Sequence, residues 1–125
     1  MSEAEKTIDN KYIRISIKDG IMYGEYKKNV TIDLNTAKSI VEERIVLCEG
    51  KDYPSLGKID SNLTLTKDAR DYLGKEGTAN MSKLGIVVDS MVSKVIGNWY
   101  LTLSRPSIPT KLFTSEEDAI KWLKE

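Results

Sequence analysis

Histidine is absent from the chain, and cysteine occurs once, at Cys48. The missing histidine removes the commonest general base near neutral pH and the commonest zinc ligand. Ser-His-Asp and Cys-His catalytic arrangements and histidine-containing zinc sites are therefore excluded. One thiol can form neither an internal disulfide nor a thiolate zinc site, and no metal or cofactor is expected. An excess of charge of either sign is also missing, because nineteen Lys and Arg balance nineteen Asp and Glu. Like charges nowhere reach a block of about five or six, so neither nucleic acid nor an anionic membrane surface is expected as a partner. Long apolar runs are lacking too: none approaches the roughly 18 to 20 residues that cross a bilayer. The opening "MSEAEKTIDNKY" has neither the basic nor the apolar region of a signal peptide. A reducing, cytoplasmic setting is the expectation.

The 125 residues, 40% hydrophobic and 30% charged, are the length of one domain and enough to bury a core without staples. Residues 1–10 are polar and patternless and are expected to form a disordered tail before a single domain over 11–125. Ile13, Ile15 and Ile17 alternate with Arg14 and Ser16, and Asp19-Gly20 suits a tight turn, so two strands are expected over about 11–18 and 21–28. From Asp33 the period becomes helical: Leu34, Ala37, Val41, Ile45 and Cys48 form the expected inward stripe, Asp33 the N-cap and Gly50 the stop.

The stretch 55–60 reads as a short strand, and Thr66 caps a helix that turns Ala69, Tyr72 and Leu73 inward and ends near Gly77. Leu84 to Asp89, "LGIVVD", is the apolar, β-branched run of a strand covered on both faces. Ser90 caps a helix reaching Leu103, Pro106 and Pro109 break the chain, "TKLF" forms a last strand, and "TSEE" is a capping box that opens the terminal helix. The order ββαβαβαβα predicts an α/β sandwich with one five-stranded, mixed and mainly parallel sheet covered by helices. Ligands of such sheets sit beyond the carboxyl ends of the parallel strands, which gathers the loops 27–33, 60–66, 89–90 and 114–115.

The element order, with "KIDSNLTLTKDARDYL", "GIVVDSMVSKVIGNWYL" and "IPTKLFTSEEDAIKWLKE", resembles the STAS/SEC14-type, SpoIIAA-like domains, and more closely an uncharacterised bacterial branch of that superfamily, over residues 11–125. The resemblance implies a small cytosolic α/β domain, often dimeric, and brings no activity with it. STAS regulators akin to anti-anti-sigma factors carry a phosphorylatable serine at the start of the helix after the third strand, within an Asp-Ser-Ser-Gly-like sequence. Asp60-Ser61 resembles the first half of that loop. The second half is "TKDARD" here, without Ser-Gly, and Thr66 or Lys67 falls nearest the phosphoacceptor position.

The candidate strand-end site comprises Asp60, Ser61, Thr66, Asp89 and Ser90. Asp60 and Asp89 would offer oxygen ligands to a divalent cation, but the acidic pair that receiver domains place after their first strand is missing. Ser61 and Ser90 would face an anion at helix N-termini, yet each follows an aspartate that repels one. Helix capping is the expected role of the hydroxyls, Thr66 included. Lys27-Lys28 reads as protection of a sheet edge, and Cys48 as a small buried apolar residue. Trp99 and Trp122 fall on inward stripes. Met91, Tyr100 and Leu101 are the candidate interface of a homodimer, because the segment 91–103 carries more apolar surface than one helix face buries. The expected function is a non-catalytic regulatory or protein-interaction module; the alternative is a carrier or sensor of a small apolar or lipid-like ligand.

Overall fold

The computed structural model describes residues 6–59, 62–90 and 106–125. Two strands, β2 (Ile13–Lys18) and β3 (Ile21–Tyr26), are joined by Asp19 and Gly20, whose φ angles of 54° and 78° give the left-handed pair that a two-residue hairpin needs. The register places Ile13, Ile15 and Ile17 opposite Tyr26, Gly24 and Met22, so one face of the hairpin is apolar. Residues Lys6–Asp9, expected within a disordered tail, form a further strand, β1, antiparallel to β2. Four residues show too little alternation to be read alone; Ile8 lies opposite Ile15 and packs on the same apolar cluster, which supplies what the local pattern lacks.

Beyond the hairpin come β4 (Thr31–Ile32), β5 (Tyr53–Lys58), β6 (Thr64–Leu65), β7 (Met81–Val87) and β8 (Thr110–Phe113). The main sheet has the order β1-β2-β3-β5-β7-β8, with β3, β5, β7 and β8 parallel. It is the mixed, mainly parallel sheet expected, with six strands among the described residues where five are expected, because β1 is added. The run beginning at Leu84 lies inside the sheet between β5 and β8, as its apolar character requires. Gly85 and Val87 are buried and Leu84 and Ile86 half-buried.

Among the described residues three helices pack on this sheet: α1 (Leu34–Cys48), α2 (Lys67–Gly74) and α3 (Glu116–Lys124). α1 and α2 cover one face, enclosing Ile13, Ile15, Met22, Ile32, Ala37, Ile40, Cys48 and Ala69. α3 covers the other, closing Ile21, Leu56, Val87, Phe113, Ala119 and Leu123. The helix expected from Ser90 to Leu103, with Trp99, lies outside the described residues.

Each cap follows local chemistry. Asp33 accepts from the Thr36 N–H at 2.8 Å, and α1 stops where Glu49 and Gly50 turn left-handed at φ 50° and 80°. The cap of α3 is Ser115, which accepts from the Asp118 N–H at 3.3 Å, one residue later than a box opened by Thr114 would place it. α2 ends at Gly74, and a 3-10 turn over Glu76–Thr78 takes up the rest of the interval to Gly77 and beyond.

The buried stripe of α1 is Ala37, Ile40, Val41, Arg44 and Cys48, while Ile45, expected inward, is 40% exposed. This corrects the sequence reading. The spacing 37-41-44-48 is the true inward seam, and an arginine occupies it because its guanidinium finds acceptors on a distant turn, described below.

Candidate functional site

The carboxyl edge of the parallel strands is built as a clasp. β4 and β6, each two residues long, pair in parallel as a small second sheet, Thr31 beside Thr64 and Ile32 beside Leu65. The Thr64 N–H donates to the Val30 carbonyl and the Thr66 N–H to the Ile32 carbonyl, both at 3.1 Å. The loops after β3 and β5 are thus fastened to each other, and each leads directly into a capped helix N-terminus.

Thr66 sits at the end of this clasp as the N-cap of α2. Its Oγ1 accepts from the Ala69 N–H at 3.3 Å and donates to Asp68 Oδ1 at 2.6 Å. Asp68 Oδ1 itself accepts from the same Ala69 N–H at 2.9 Å. Both Thr66 lone-pair direction and hydroxyl proton are therefore engaged within the first turn. Asp60 and Ser61 lie outside the described residues; the chain approaches them through Ile59, whose N–H donates to the Val87 carbonyl at 3.0 Å. Asp89 and Ser90 form an exposed bend at the end of β7, after Val88 N–H has donated to the Phe113 carbonyl at 2.8 Å. The neighbouring positions of β5 and β7 bring Thr66, Asp89 and Ser90 to one edge of the sheet. Met91, Tyr100 and Leu101, the candidate interface, lie outside the described residues.

Two clefts flank the described fold. One, of about 320 Å³, lies between the β1–β2 connection and the first turns of α1, where Tyr12 and Ile40 join the polar groups of Asn10, Lys11, Asn35, Thr36, Ser39 and Glu43. The other, of about 260 Å³, lies on the sheet face beside α3, where Arg14, Ser16, Tyr23, Glu25 and Lys58 meet Glu116. Lys58 Nζ and Glu116 Oε1 are 3.4 Å apart there. The Tyr23 hydroxyl has its pKa raised by burial, then by the negative charges of Glu116 and Asp19. Lys27, read as guarding an edge, donates to Asp9 Oδ1 at 2.7 Å.

The polar group that the sequence reading missed is Arg44. It is 5% exposed, and its Nη2 donates to the carbonyls of Gly77 at 2.6 Å and Ala79 at 2.7 Å, fastening α1 to the connection between α2 and β7. Its Nε has no hydrogen-bond partner among the described residues. Burial lowers its pKa, and the nearby Cys48, Tyr26 and Tyr72 side chains oppose that. The same burial raises the pKa of Tyr26 and of Cys48, and in both cases the Arg44 charge pulls the other way. Cys48 is fully buried, its thiol 3.6 Å from Met22 Sδ, which is the packing role expected of it. Trp122 is half-buried on α3, tilted against Phe113 at 5.7 Å, with Lys83 Nζ 4.5 Å from its ring centroid. Among the described residues, no three His, Cys, Asp or Glu side chains group as a metal site. None of the described helices is long and apolar enough to cross a membrane.

A mixed sheet with α1 and α2 on one face, α3 on the other, and capped helices rising from its carboxyl edge defines the SpoIIAA-like class of α/β domain. A crystal structure of an uncharacterised protein of the DUF3478 family from Shewanella loihica PV-4, with a SpoIIAA-like fold, matches over 98% of each chain with a TM-score of 0.60 at 14% identity. A protein with unknown function from Arthrobacter sp. FB24 is 25% identical over 87% of this chain and 90% of its own, with a TM-score of 0.33. No curated protein matches. Residues 15–125 match the model of the family described as Domain of unknown function (DUF7793), and the chain belongs to that family.

Proposed function

We propose that the domain is a non-catalytic regulatory or protein-interaction module of the cytoplasm. The observation that carries this reading is the occupation of the carboxyl edge by its own structure: the side-chain oxygens of Asp33, Thr66 and Ser115 each cap the helix they precede. Polar residues placed where such folds bind ligands are here used to close the fold. The sheet face beside α3 instead offers Arg14 and Lys58 interleaved with Glu25 and Glu116, together with the Tyr23 hydroxyl. Mixed charge around an aromatic residue suits a polar protein surface of both signs. The carrier reading requires an enclosed apolar chamber; the two clefts among the described residues are open, one of mixed lining with Tyr12 and Ile40 and one mainly polar.

Native mass spectrometry of freshly purified protein separates the two readings. Protomer multiples alone are expected; a stoichiometric co-purifying small molecule would replace the module with the carrier. Reversing Arg14 and Glu25 together, Arg14→Glu with Glu25→Arg, should abolish capture of a native partner while the domain stays cooperatively folded, its melting temperature lowered only slightly by loss of the exposed Asp9–Arg14 pair. Homodimer formation through Met91, Tyr100 and Leu101 belongs to the same proposal. Sedimentation equilibrium at micromolar concentration tests it, and a protomer mass unchanged by Tyr100→Glu or Leu101→Glu withdraws that interface.

A further inference from the structure

Among the described residues β1 is the outermost strand of the sheet, and none of them forms a strand along its second edge. The direction of its backbone groups follows from the register. Asn10 N–H donates to the Ile13 carbonyl at 3.1 Å, and Ile8 stands opposite Ile15 in the same ladder. In an antiparallel pair, bonded and non-bonded positions alternate. Ile8 and Asn10 therefore bond toward β2, and the N–H and C=O groups of Thr7 and Asp9 point outward from the sheet.

Natural edges are guarded by charges, proline or bulges. Here the edge charges are neutralised within the protomer: Lys6 pairs with Glu49, and Asp9 with both Arg14 and Lys27. Residues 6–9 contain no proline. We propose that this edge pairs with the same edge of a second copy, antiparallel about a two-fold axis through Ile8, so that one sheet continues through both protomers.

The register is the one the chemistry selects. A two-fold axis normal to the sheet keeps each face continuous, so it must pass through a residue that meets its own copy. Centring on Asp9 sets two carboxylates against each other, which is unfavourable. Centring on Thr7 leaves Thr7 as the sole outward-bonding residue of the strand with an outward-bonding residue of the copied strand opposite it. Centring on Ile8 pairs Thr7 with Asp9 of the second copy twice over, giving four main-chain hydrogen bonds. It also opposes no like charges and brings the two Ile8 side chains together at a close, non-bonded position. Ile8 is half-buried against the cluster beneath α1, so the contact extends an existing apolar surface. A four-residue strand buries less than the roughly 1,200 Å² of a standard stable interface, and the association is accordingly weak and concentration-dependent.

Cross-linking tests both the contact and its register. Opposed residues at a non-bonded position have Cα atoms about 4.5 Å apart, within disulfide reach, whereas the two copies of residue 7 stand diagonally, outside the roughly 7 Å limit. The native Cys48 is fully buried and gives little background. Under mild oxidation, Ile8→Cys should double its mass on a non-reducing gel, and Thr7→Cys should remain a monomer. No product from Ile8→Cys, or equal product from both, overturns the proposal. Adding Tyr100→Glu to Ile8→Cys should leave the product in place; its loss would put the contact on the 91–103 segment and overturn the edge pairing. In the unmodified chain the Thr7 and Asp9 amide resonances should shift with rising concentration, and their invariance also overturns it.

Discussion

Replacing Arg44 tests the energetics of the fold at its most unusual point. Among the described residues the buried guanidinium meets no carboxylate, and its Nη2 holds two carbonyls on the turn after α2. Arg44→Ala strips both. The Gly77 bond is buried and the Ala79 bond partly so, so the first carbonyl loses its partner without gaining water, at about 1–3 kcal/mol, and the second rehydrates in part, at about 1 kcal/mol or less. Loss of the buried aliphatic stem adds about 1–2 kcal/mol. Relief of the buried charge acts in the opposite direction and offsets a share of this. The net expectation is a destabilisation of about 2–4 kcal/mol, a fall in melting temperature of about 10 °C or more for a domain of this size. Arg44→Met keeps the stem and removes the charge, so it should cost about 1–2 kcal/mol, less than the alanine. Urea unfolding followed by tryptophan fluorescence gives both values. An Arg44→Ala variant within about 0.5 kcal/mol of the parent, the range of ordinary surface changes, would refute the clamp. A methionine variant more stable than the parent would show that burying the charge costs more than its two bonds return.

Thr66→Ala should lower stability by only about 0.5–1 kcal/mol, the low end of the cap range, because Asp68 Oδ1 still accepts from the Ala69 N–H at 2.9 Å; a loss above about 2 kcal/mol in chemical denaturation would show Thr66 bearing more than a cap. The Asp33 carboxyl is held below its ordinary value of 3.8 chiefly by the hydrogen bond from the Thr36 backbone N–H. Its folded pKa is thus below its unfolded one, so its contribution is full above the unfolded pKa and lost as pH falls through the folded one. Asp33→Asn, which still caps, should flatten the loss of melting temperature below about pH 4, and an unchanged acid limb would contradict this. Cys48 should react with a thiol reagent only as fast as the chain unfolds, and stoichiometric labelling under native conditions would place the thiol at the surface.

What could be read from the sequence was decided within a few residues. Asp19-Gly20 carries its turn by itself, Asp33 and Thr66 need only the following N–H groups, and the run at Leu84 states its own burial through composition. The misreadings share the opposite property. Periodicity counts Ile45 as inward and leaves Arg44 unplaced, since a charged residue is rarely buried without a partner; the partners here are carbonyls 33 and 35 residues later, on a turn with no helical or strand pattern. β1 is similar, because the alternation in Lys-Thr-Ile-Asp is too brief until Ile15 stands opposite Ile8. The two-residue strands of the clasp have no periodicity at all and exist only through each other.

The clasp also bears on the likeness to phosphorylated STAS regulators. A phosphoryl group on Thr66 would replace a proton now donated to Asp68 at 2.6 Å with two negative charges beside a carboxylate. The helix dipole at the α2 N-terminus favours an anion by about 0.3–1 kcal/mol, yet Asp68 already occupies that turn and takes its Ala69 N–H. A phosphate there would have to expel Asp68 and would strain the bond from the Thr66 N–H to Ile32 that joins the clasp to α2. Fold likeness and local chemistry therefore point apart at this position: the sheet and helix reproduce the class, while the Thr66 hydroxyl and the Ala69 N–H are both engaged by Asp68.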